Sequence, residues 1–145
     1  MDPMQATLDQ FAARAVTRLG EGFRCSVMLR RGSRLDQVAS NDPGAAACDQ
    51  VEVREGSGPC VTAIDQLHAV VVDDLDTDTR WPTWNQAARD QGFRSFLALP
   101  GYVDETTTVA LNAYSARPAT WTSHDVVQVD LYVQELAAAL HHAST

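Results

Sequence analysis

The chain has 145 residues with 11 basic against 19 acidic side chains, every basic one an arginine, and a net charge of −8. That length buries a core without staples, removing about two-thirds of the unfolded surface from water. The acidic balance opposes the attraction to phosphate that supplies most nucleic-acid affinity and argues against direct DNA or RNA binding. No apolar run has the length of a membrane span and none near the N-terminus resembles a signal peptide, while Cys25, Cys48 and Cys60 match no zinc or disulfide framework. These features imply a soluble, cytoplasmic protein in a reducing compartment, without metal ligation by cysteine.

In chain order, Met4, Leu8, Phe11, Ala15 and Leu19 form one stripe of an opening helix that stops near Gly20 and Gly22. Phe23 to Arg30 alternates, with Phe23, Cys25, Val27 and Leu29 on one side, and turns through Gly32 into a strand near Leu35 to Ala39. Turn chemistry at Asn41 to Gly44 precedes a short helical turn, and Val51 and Val53 predict a short alternating strand. Pro59 suits the first position of a helix whose apolar side is Val61, Ile64 and Leu67. "AVVV" reads as a short buried strand.

Four aspartates, Asp73, Asp74, Asp76 and Asp78, then lead into Trp81 and Pro82, and a helix from Pro82 to Gln91 ends at Gly92. "RSFLALPGYV" and "TVALNAYSA" are apolar on both faces, as central strands covered on both sides are. The chain closes with a long helix in which Thr122 and Asp125 have capping-box spacing and Val126, Val129, Val133, Leu136 and Leu140 form the stripe. The sum is an α+β fold around an antiparallel sheet, one domain over 1–145 with a core of about 5–142.

The ordered motifs "GSGPC", "VVVDDLDTDTRWPTW", "GFRSFLALP" and "VALNAYSARPATWT" before a long closing helix resemble a GAF domain. The similarity extends to GAF domains joined to ANTAR RNA-binding modules in actinobacterial regulators. Their pattern runs Gly-Glu-Gly-Pro-Cys, Asp-Leu-x-x-Asp-Pro-Arg-Trp-Pro and Arg-Ser-x-Leu-x-x-Pro. This sequence departs at Ser57, Thr79 and Val109, and it ends at Thr145 with no room for an ANTAR module, which was either removed or never needed.

The resemblance implies a sheet of five or six strands with helices on both faces, the terminal helices together on one. A small-molecule pocket is expected on the other face, under a lid made by the helices flanking the aspartate loop. Such pockets hold cyclic nucleotides, haem, bilins, nitrate or other ligands, whereas other GAF domains serve only as dimerisation units.

The aspartates do not make an EF-hand, because Thr79 and Asn85 stand where a glycine and a bidentate glutamate are needed. Asp76 and Asp78 are expected to cap turns around Arg80. Trp81 and Trp84, three apart, either fill core or stack on a ligand. Cys60, in the first turn of a helix, is either a thiol activated by the dipole or a small buried hydrophobe, and the same helix start suits an anion.

The resemblance also offers a catalytic alternative, the free methionine sulfoxide reductase, which would use Cys60. Its second cysteine is missing from the loop Leu75 to Gly92. His68 is the one histidine placed to face a haem. Asn112 and Tyr114 share a strand face, Phe96 and Ala98 share one on the neighbouring strand, and the polar tips there need partners.

The expectation is therefore a non-catalytic sensor in signal transduction or transcription regulation. It binds a small molecule of unspecified identity through Cys60, Trp81, Trp84, Phe96, Asn112 and Tyr114, or forms a homodimer through the terminal helices near Leu136 to Leu140. No metal site or cofactor is assigned.

Overall fold

The computed structural model describes residues 2–144, so the expectation about Thr145 lies outside the described residues. Helix α1 (Pro3–Leu19) begins where the Asp2 side chain accepts the Met4 amide and stops at Gly20, with Met4, Leu8, Ala12 and Ala15 buried. Strands β1 (Arg24–Arg31) and β2 (Arg34–Ser40) form the expected antiparallel hairpin.

Residues Val51 and Val53, expected in a strand, lie instead in helix α2 (Pro43–Glu55). Asp42 caps it by accepting the Ala45 amide at 3.0 Å, Pro43 occupies the first turn, and Gly56 ends it in the left-handed conformation. The inward stripe of α2 is Ala45, Cys48, Asp49 and Glu52. Two carboxylates interrupt its apolar period, so the helical signal is invisible to a count of hydrophobic residues.

Helix α3 (Pro59–Gln66) is followed by β3 (Val70–Val72), α4 (Pro82–Asp90), β4 (Ser95–Asp104), β5 (Thr107–Ser115) and α5 (Ser123–Ala143). Leu67, read as part of the apolar side of α3, is a left-handed C-cap at φ 52 and is 53% exposed. The capping box of α5 is present, with Thr122 and Asp125 bonded reciprocally.

The protein is α+β, with a five-stranded sheet in the order β2-β1-β5-β4-β3 and every pair antiparallel. Strand β5 is central and β4 lies beside it. Val109, Leu111 and Ala113 of β5 face the core shared with α1 and α5, whereas Tyr114 faces the layer under α2 and α4. Covering both faces explains why these strands read as continuous apolar runs. Gly101 in β4 permits the close seating of α5, because a Cβ there would lie 3.1 Å from the Ala137 Cβ and the Val133 carbonyl.

The sequence reading assigned Leu136 and Leu140 to a contact with a second copy, but both are fully buried against α1 and the sheet. Val127 and Leu131 carry the exposed apolar surface of α5 instead. Truncation at Leu136 opens a cavity in the main core, so Leu136→Ala is expected to lower stability by about 2–5 kcal/mol. Asp42→Ala, which removes the α2 cap, should cost about 1 kcal/mol. Urea denaturation measures both, and a wild-type midpoint for Leu136→Ala contradicts this division of the core.

Candidate functional site

The layer between the sheet and α2, α3 and α4 is where the sequence-assigned residues meet. Trp84, Phe96, Tyr114, Asn112 and Cys60 are buried there, at most 2% exposed, while Trp81 is partly buried at the rim. Strand alternation places Phe96 of β4 against Tyr114 of β5. Helix α4 brings in Trp84 above them, and Phe93 enters from the turn before β4.

The rings fill the space they enclose. Trp84 lies 4.9 Å from Phe96, Phe96 4.9 Å from Tyr114, and Phe93 4.8 Å from Tyr114, measured between centroids. Trp81 is the non-helical N-cap of α4, set edge-on 6.3 Å from Trp84 under the Arg80 guanidinium. At the rim, Glu55, Ser57, Trp81 and Trp84 are among the residues lining a cleft of about 90 Å³. Ligand sites commonly occupy about 300–1,000 Å³.

Beneath the rings lie two carboxylates that the sequence reading did not single out. Asp49 accepts the Tyr114 hydroxyl at 2.7 Å and the Asn112 amide at 2.9 Å, and Trp84 Nε1 donates to the same tyrosine oxygen at 3.3 Å. Glu52, one turn later on α2, accepts the Cys60 and Val61 amides at 2.9 and 3.2 Å. The start of α3, suited to an anion, is thus occupied by the protein's own carboxylate. Gly58 makes room for it: its φ of +151° disfavours a side chain, and a Cβ would fall 2.1 Å from Glu52 Oε1.

Burial raises both acids, Asp49 to about 6 and Glu52 well above the usual carboxylate range, with Asp49 adding to the second shift. Burial also pushes the Cys60 thiol well up, reinforced by Glu52 and Asp49 and only partly opposed by Asn112 and Arg30. Of the two readings of Cys60 in the sequence, this favours the small buried hydrophobe over the activated thiol. Cys25 and Cys48 are likewise buried and pushed up to about 12.

The aspartate loop is tied to arginines at the margin of this layer. Asp74 and Asp78, rather than Asp76, cap its turns by accepting the Asp76 and Arg80 amides. Asp76 pairs instead with Arg94, which also reaches Asp74, and Arg80 holds Asp78 at 2.7 Å. His68 is exposed beside Ala69 and lines a groove against α5, away from the aromatic layer.

Fold and covered layer together define a GAF-like domain. The GAF domain model matches residues 3–141, and the chain belongs to the GAF domain family. The sequence matches none of the curated proteins.

Among solved structures it is similar to the type II free methionine-R-sulfoxide reductase of Thermoplasma acidophilum, at 13% identity and TM-score 0.72 over 96% of this chain and 93% of that one. It is also similar to the free methionine-R-sulfoxide reductase of Neisseria meningitidis in complex with its substrate, at 20% identity and TM-score 0.65 over 99% and 78%. The GAF domain of a two-component sensor histidine kinase from Bacillus halodurans gives 14% identity and TM-score 0.68 over 99% and 97%. At these identities the likeness is one of fold.

Tyr114→Phe removes the hydroxyl shared by Asp49 and Trp84 and leaves buried groups unpaired, so it should destabilise by about 1–3 kcal/mol in chemical denaturation. The native protein should also leave all three thiols unmodified by a disulfide exchange reagent until it unfolds. Rapid native labelling at Cys60 contradicts its closed, protonated state.

Proposed function

We propose that this protein is a non-catalytic GAF domain of the regulatory kind, working in signal transduction or transcription control. The observation that carries this reading is the interior layer, which the protein fills with Trp84, Phe96, Phe93 and Tyr114 over its own carboxylates. In this conformation the layer favours assembly over a resident ligand as the mode of action. Cys60, without solvent exposure and with its thiol pushed up, is poorly suited to nucleophilic attack. A finer kinship with GAF domains that precede ANTAR modules rests on the quoted motifs alone.

The assembly surface proposed is the outer face of the α1–α5 pair, with a second copy as its occupant. A groove of about 500 Å³ runs there between Phe11, Arg14, Thr17, Arg18, Tyr132 and Glu135. Arg18 pairs with Glu135 within the chain, while Arg14 has no ion-pair partner among the described residues. A two-fold contact sets the Arg14 of each copy against the half-exposed Glu135 of the other.

Light scattering across a concentration series should show a dimer in the wild type and a shift toward monomer in Arg14→Glu, which places like charges together. A monomer at every concentration removes the dimer. The catalytic alternative keeps Cys60 as nucleophile, on the ground that reductases share this fold. Incubation with free methionine-R-sulfoxide and a thiol reductant should give no turnover. Turnover abolished by Cys60→Ser establishes the enzyme instead.

A further inference from the structure

The polar floor of the covered layer has more acceptors than donors. Tyr114 and Asn112 donate to Asp49, and the Cys60 and Val61 amides donate to Glu52 Oε1. Glu52 Oε2 and Asn112 Oδ1 remain buried with no hydrogen-bond partner. Buried acceptors are paired in native proteins with few exceptions, so two in one layer call for a missing donor.

No cation forms an ion pair with either carboxylate of this floor among the described residues. From β1, Arg30 pairs with Asp65 on α3, and Arg24 lies 5.8 Å over the Phe93 ring. On β2, Arg34 and Asp36 pair with each other at the surface, and Gln37 faces Ser26. Among the residues of α4, Arg89 bonds Asn85 and Gln86, and Asp90 accepts from Gln86. Asp42, the cap of α2, Cys48 of α2, Cys60 of α3 and Tyr114 of β5 are further titratable neighbours, none of them cationic. Two carboxylates one helical turn apart in a low-dielectric layer repel, and a cation, a ligand or a proton must relieve them.

We propose that Asp49 and Glu52 form a proton-binding site inside the fold, with Glu52 carrying the proton at neutral pH and its loss loosening the corner between α2 and α3. A proton on Glu52 removes the charge from the unpartnered Oε2 and leaves one negative charge, on Asp49, where the tyrosine and asparagine already donate. Alkalinisation puts a second charge beside the first. The corner can yield at the Gly56 to Gly58 segment, whose two glycines have positive φ values of 67° and 151°. Departure of Glu52 frees the Cys60 and Val61 amides, uncapping α3.

Both acids are raised in the folded state, so the folded protein binds more protons than the unfolded chain between the two sets of values. Their contribution is fully present below the unfolded carboxylate range of about 4. It is lost as pH rises through about 6 for Asp49 and through the raised value of Glu52. Stability from this site therefore falls toward alkaline pH.

The decisive measurement is a carboxyl-carbon NMR titration of the full chain with ¹³C-labelled glutamate and aspartate. One glutamate carboxyl should remain protonated at about pH 7, and its signal should vanish in Glu52→Gln. The folded-to-unfolded ratio should fall from about pH 6 to about pH 8 in the wild type, about tenfold for each unit of pKa displacement that lies within that window. Glu52→Gln, whose amide mimics the protonated acid, should lose most of that dependence. If every glutamate titrates near its ordinary value of about 4.3, the proposal is overturned whether or not the variant folds. A Glu52→Gln protein that keeps the wild-type pH dependence overturns it equally.

Discussion

The seating of Glu52 against the first amides of α3 is the contact on which the covered face depends. It joins the end of α2 to the start of α3 across a glycine-bounded corner, and its neighbour Asp49 joins α2 to the central strand through Asn112 and Tyr114. Tyr114 passes the connection on to α4 by accepting from Trp84. One turn of helix thus fixes the positions of three helices relative to the sheet. A carboxylate in this position has opposing effects, since burial disfavours the charge while two amides and a helix dipole favour it. Both acids are raised, so burial outweighs the hydrogen bonds.

The same competition settles the character of Cys60. A helix start stabilises a nearby negative charge by about 0.3–1 kcal/mol at the surface, whereas full burial can move an ionisable group by about 3–5 pKa units. At this helix start the anionic partner is already in place as Glu52, which repels a thiolate rather than inviting one. The geometry that makes Cys60 look reactive in the sequence is therefore the geometry that silences it in the fold. Reductases and sensor domains sharing this architecture illustrate that the sheet and its helices leave the chemistry to individual side chains.

Legibility in the sequence followed the physics of each element. The terminal helices and the long strands were readable because apolar periodicity and caps agreed, as at Thr122 and Asp125. Helix α2 was misread because its buried stripe contains Asp49 and Glu52, and a carboxylate facing the core looks identical in sequence to one facing water. The usable clue was the pairing of Asp42-Pro43 with Gly56, a start and a stop thirteen helical residues apart. Phe96 and Tyr114 were placed by strand alternation and Trp84 by its spacing from Trp81, signals that give the face but not the occupancy of the space, while Phe93 was missed. Whether Trp84 and Tyr114 line a void or fill it depends on ring packing and on a polar partner that lies 65 residues away from Tyr114.

A filled interior changes where regulation can act. In a domain with an open chamber, a ligand shifts the equilibrium by its differential affinity for two arrangements of the cover. Here the corresponding space holds rings in edge-on and tilted contact, and densely packed layers of this kind are bistable rather than gradually deformable. Two elements remain that respond to the surroundings without entering that layer. One is the proposed protonation of a carboxylate already inside it, and the other is the proposed association of the α1–α5 face with a second copy. Both converge on the sheet, since α2 grips β5 from one side through Asn112 and Tyr114 while α5 packs on β4 from the other at Gly101. The cover and the terminal helices thus share two adjacent strands, the contiguous route that any coupling between them would take.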